Sequence, residues 1–80
     1  MIDLTTHKKI TVSTDGEAWP YIMLPLEQLD AVTVILQENN VPFWVDSDAI
    51  SLNGKPEVAI VNLGRGADAV HVQQLLDDAT

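Results

Sequence analysis

The chain has no cysteine, so neither a disulfide nor a thiolate-bound metal stiffens it. That absence also fits a reducing compartment. Bases are scarce: 4 Lys and Arg stand against 12 Asp and Glu, a formal net charge of −8. Phosphate backbones require clustered cations, so this balance argues against nucleic acid as a partner. It favours solubility, or a basic partner protein. No apolar run reaches membrane length, and MIDLTTHKKI has no signal core, so a soluble cytoplasmic protein without a membrane partner is expected. No repeat, low-complexity stretch or linker interrupts the sequence, which reads as a single α+β domain over 1–80. The two histidines, His7 and His71, lie far apart without H-x-H or H-E-x-x-H spacing, so no metal site is expected. The sequence sets no Ser or Cys beside either histidine, so neither an enzyme nor a cofactor is expected.

What is present is apolar. Hydrophobic residues make up 46% of the chain, high for a small acidic domain that buries only about 60% of its unfolded surface. Self-association is one way to cover the excess. KKITVST (8–14) alternates, with Ile10 and Val12 on one side, as a strand does. Asp15-Gly16 is a two-residue hairpin signal, and WPYIML (19–24) is the returning strand. A tight turn there sets Val12 opposite Trp19 and Ile10 opposite Tyr21. Ile10, Val12, Trp19, Tyr21 and Met23 then share one face, and Pro20, Ile22 and Leu24 take the other.

PLEQLDAVTVILQENN (25–40) is the first helix. Pro25 suits its first turn, Glu27 and Asp30 favour its positive end, and Leu26, Leu29, Val32, Ile35 and Leu36 form its apolar stripe. Asn39-Asn40 is a left-handed stop. VPFWVDSDAISL (41–52) reads as a strand with Trp44 opposite in facing to Phe43. Asn53-Gly54 is a second hairpin signal, and EVAIVNL (57–63), apolar on both faces, is a central strand. ADAVHVQQLLDDA (67–79) is the last helix, with Val70, Leu75 and either Val72 or Leu76 directed inward.

The order ββαββα predicts a ferredoxin-like sandwich: a four-stranded, mostly antiparallel sheet in the order 1-2-4-3 with both helices on one face. Strands two and four are expected to run parallel at its centre, and the N-terminal strand fills the place of the usual last strand. A smaller α+β sheet with the N-terminal hairpin packed elsewhere is the alternative. Because both faces of strands two and four are apolar, residues remain on the face without helices. Such a patch marks an interface, unless loop residues shield it.

Gly64-Arg65-Gly66-Ala67-Asp68-Ala69 fits the dinucleotide fingerprint G-x-G-x-x-G/A between a strand and a helix. That fold needs a further parallel strand with a ribose-binding acid, which does not follow here, so the glycines read as a tight turn and Asp68 as a helix cap. A weaker version sets both helix N-termini at one end of the sheet, with His7, Lys8, Lys9 and Arg65 gathered there around an anion. Asp46, Asp48 and Glu57 fit positions one, three and twelve of a calcium loop. Ile50 and Ser51 break the fifth and sixth positions, so these read as edge-strand acids.

The runs LEQLDAVTVILQENNVPFWVDSD and NGKPEVAIVNLGRGADAVHVQQLLDD resemble small bacterial signal-transducing domains related in fold to PII regulators. In those, a helix leads to a strand, a hairpin, a final strand and a helix, matched here by LQENNVPFWV and EVAIVNL…ADAVHVQQLL over roughly residues 20–79. The resemblance implies a ferredoxin-like fold. The long loop and nucleotide-contacting basic residues of PII regulators have no counterpart at matching positions. The expected function is a regulatory or protein-association module, a homodimer or a binder of another protein, acting through the open sheet face or an edge strand. Tyr21, Met23, Trp44 and Val61 are the interface candidates. The alternative is a small-anion or nucleotide sensor using Gly64, Arg65, Gly66 and Lys8.

Overall fold

Alternating aliphatic residues draw four segments of the chain into one sheet, and two amphipathic segments close over it. A computed structural model describes residues 1–14, 19–46 and 57–79. The elements are β1 (Val12–Ser13), β2 (Tyr21–Pro25), a 3-10 turn (Leu26–Gln28), α1 (Leu29–Glu38), β3 (Trp44–Val45), β4 (Val58–Asn62) and α2 (Ala69–Asp78). They form one sheet in the order β1-β2-β4-β3 with both helices packed on one side, an α+β arrangement of the ferredoxin-like kind. β1 occupies the position beside β2.

Every pairing is antiparallel, including β2 with β4, where Ile22 faces Val61 and Leu24 faces Ala59. This corrects the parallel centre expected from sequence. The β2-α1-β3 crossover leaves one strand space between β2 and β3, and β4 fills it running the opposite way. The register of the first hairpin also differs. Val12 pairs with Ile22 and Ser13 with Tyr21, not Val12 with Trp19 and Ile10 with Tyr21. The shift by three flips the parity, so Ile10 and Val12 share a face with Ile22 and Leu24. Burial decides it: this register puts all four aliphatics beneath the helices, where each is buried. The Asp15-Gly16 and Asn53-Gly54 signals lie outside the described residues, as do Asp48, Ile50 and Ser51 of the calcium-loop pattern.

The core joins Ile10, Val12, Ile22, Leu24, Val61 and Leu63 from the sheet to Val32 and Leu36 of α1 and Val72 and Leu76 of α2. Each helix thus delivers an i, i+4 pair to the same layer. Val70, expected inward, is 72% exposed. The i, i+4 pair Val72 and Leu76 turns Val70 to solvent. Pro25 ends β2 instead of opening the helix, and the 3-10 turn after it leaves Leu26 exposed, outside the stripe. α1 stops where expected: Asn40 takes φ +57°, and the Val41 N–H donates to the Leu36 carbonyl.

Candidate functional site

Strand pairing sorts the sheet into two faces, because directly paired residues point the same way. Ile22, Leu24, Ala59 and Val61 point to the helices. Tyr21, Met23, Val58, Ile60 and Asn62 point to the other side, joined by Ser13 from β1 and Trp44 from β3. No charged residue stands at these positions on the two central strands. Met23 and Trp44 are each 49% exposed, and Trp19, one alternation before Tyr21, is 53% exposed. The Trp19 and Trp44 rings meet edge to face, centroids 6.2 Å apart at 89°. Phe43 packs inward against the core, so the opposition of Phe43 and Trp44 is as expected. Asp46, whose N–H extends the β3–β4 pairing to the Ile60 carbonyl, stands at the rim.

Of the four interface candidates, Tyr21, Met23 and Trp44 lie on this open face. Val61 does not: it is fully buried against the helices. Sequence alone leaves its side undecided, because β4 is apolar on both. Pairing with Met23 makes Ile60 the residue that faces outward.

The glycine loop borders the same face. Gly64 has φ +82°, and a Cβ added there would lie 3.0 Å from Cζ3 of Trp44. Gly66 has φ +84°, and a Cβ added there would meet nothing within 4 Å. The turn closes with the Ala67 N–H donating to the Gly64 carbonyl, and the Asp68 carboxylate accepts from the His71 N–H at 3.0 Å. The G-x-G run is therefore a turn and a capped helix start. A cavity of about 310 Å³ lies beside it, between the end of α1 and the start of α2, lined in part by Asn39, Asn40, Arg65, Gly66 and His71.

Lys8 is not part of this cavity. β2 and β4 are antiparallel, so the helices that follow them start at opposite ends of the sheet. The N-terminal segment sits at the α1 start, where Gln28 bonds the backbone of Ile2 and Leu4. Lys8 and Arg65 are therefore separated by the length of the sheet, which overturns the expected basic cluster. Lys9 pairs instead with Asp77 at 3.7 Å, and His7 occupies a turn position at φ +61°. Among the described residues no group of three His, Cys, Asp or Glu is placed to hold a metal, and no helix is long and apolar enough to cross a membrane. No family model, curated protein or solved structure matches the chain.

Proposed function

We propose that the chain is a protein-association module and that its partner is a second copy of itself, docked open face to open face. The single observation that carries this reading is a largely apolar sheet face whose two central strands carry no charged residue, with Asp46 at its β3 rim, on a protein of net charge −8. Two copies of so acidic a chain repel over most of their surface. The central strands of the open face add nothing to that repulsion, and Met23 and the Trp19–Trp44 pair supply apolar anchors. A two-fold face-to-face contact is self-complementary and closes at two copies. The outward edge of β1 is already occupied by side-chain hydrogen bonds, which favours the face over that edge.

Light scattering over a concentration series tests it. The expected mass is twice the 8.8 kDa of one chain. Met23→Glu sets an unpaired carboxylate into the contact in both copies and is expected to weaken association about 100-fold or more, leaving the circular dichroism spectrum intact. A Met23→Glu protein that keeps the native mass removes this face from the reading.

A second reading, a sensor for a small anion, is supported by the cavity beside Arg65 and His71. A thermal-shift panel of inorganic phosphate, ATP and citrate tests it. Stabilisation that Arg65→Ala abolishes supports the sensor, and no shift with any of the three counts against it.

A further inference from the structure

We propose that the cavity between the end of α1 and the start of α2 binds a small zwitterion: an aliphatic molecule with one carboxylate and one ammonium group, of the size and charge of a free amino acid with an apolar side chain. The inference rests on the second reading above for the choice of cavity, and replaces its simple anion by a ligand of zero net charge. Besides the imidazole of His71, the ionisable side chains that line the cavity are one guanidinium, Arg65, and one carboxylate, Asp68. They do not pair with each other, and Arg65 makes no hydrogen bond or ion pair among the described residues. One Asp68 oxygen accepts from the His71 N–H at 3.0 Å. A carboxylate has a second oxygen with acceptor sites of its own, which leaves Asp68 able to take a further donor.

The backbone that carries both charges is fixed by the fold. Arg65 sits between Gly64 and Gly66, whose φ of +82° and +84° shape a turn closed by the Ala67 N–H on the Gly64 carbonyl. Asp68 opens α2, and its carbonyl accepts from the Val72 N–H at 3.0 Å. The facing wall is the end of α1. There Asn40 at φ +57° and the Val41 N–H bond to the Leu36 carbonyl set Val41 and Pro42 along the cavity. With Leu63 and Val72 they give it an aliphatic lining. Its volume of about 310 Å³ is at the small end of ligand pockets, which run from about 300 to about 1,000 Å³. Two opposite charges select against a ligand that carries only one. A simple anion drawn by Arg65 meets Asp68, and it approaches against the field of a chain with net charge −8. A simple amine drawn by Asp68 meets Arg65. A molecule with both groups answers both side chains, has no net charge to oppose that field, and has an aliphatic part to set on the apolar lining.

The test titrates the full chain with free L-leucine and with two analogues that each carry one of its charges: isocaproate, which lacks the ammonium, and isoamylamine, which lacks the carboxylate. Amide chemical shifts are the readout. Leucine is expected to give saturable shifts at Asn40, Gly66 and His71, and each analogue to bind about tenfold more weakly or worse. Arg65→Gln and Asp68→Asn should each weaken leucine about tenfold while the circular dichroism spectrum stays native. Asparagine keeps the helix cap, so a loss in Asp68→Asn reports the charge that faces the ammonium and not the helix start. No shift at those amides with about 20 mM leucine overturns the proposal. Isocaproate that binds as tightly as leucine, and is indifferent to Asp68→Asn, also overturns it; the cavity then takes a simple anion, and the sensor reading stands alone. If phosphate, ATP and citrate are as silent as leucine, both readings of the cavity fall. Leucine binding that needs both Arg65 and Asp68 supports the zwitterion and removes the simple anion.

Discussion

At the scale of single residues, the two glycines of the loop have different reasons to be glycine. Both have positive φ, where a Cβ costs about 1–2 kcal/mol. Gly64 also lies under the Trp44 ring, whereas Gly66 faces open space. Gly66→Ala is expected to lower stability by about 1–2 kcal/mol and leave tryptophan fluorescence unchanged. Gly64→Ala is expected to cost more and to shift the emission, because the added methyl displaces Trp44. Chemical denaturation and emission spectra of the two variants check this, and equal costs with unshifted emission would sink the account. The run Gly64–Gly66 was legible in sequence as a turn. The weight of Trp44 on Gly64 was not, since the two are distant in sequence and only the β3–β4 pairing brings them together.

At the scale of elements, α2 depends on its first residues. Asp68 accepts the His71 N–H, and removing such a cap costs about 1 kcal/mol. For a domain of this size that lowers the melting temperature by roughly 4–8 °C. Asp68→Ala is expected to show that loss in a thermal melt and Asp68→Asn to recover most of it, since asparagine caps as well. A drop of the same size in Asp68→Asn would point to the charge instead of the hydrogen bond. This cap was readable in advance because capping is local chemistry. The inward face of α2 was less so. Val70, Val72, Leu75 and Leu76 offer more than one apolar stripe, and only the docked sheet selects Val72 with Leu76. The same holds for β1 and β2, where a plausible tight turn predicted one register and the demand for four buried aliphatics imposed another.

At the scale of the whole molecule, net charge and the apolar centre of the open face make opposite demands. Two copies together carry a formal charge of −16, twice the −8 of one chain. Their repulsion is long-ranged at low salt and screened at high salt: the Debye length falls from about 20 Å at about 20 mM to about 4 Å at about 500 mM. Face-to-face pairing through apolar residues is therefore expected to tighten as salt rises, with sedimentation equilibrium as the measurement. Weaker association at high salt would mean that opposite charges make the contact, and the open face would lose its role.

The sequence by itself determined the element types, the strand order and the presence of more apolar surface than one small core uses. Those follow from periodicity, turn chemistry and composition, which are local or additive. The tertiary structure alone decided which apolar residue faces which layer. It sent Val61 to the core and Ile60 to the open side, put Lys8 and Arg65 at opposite ends, and set Gln28 and Gln73 on strand edges far away in sequence. The physical reason is the two-residue repeat of a strand. When both faces are apolar, the pattern carries no record of its own parity, and only the pairing partner and the helices above it fix the side.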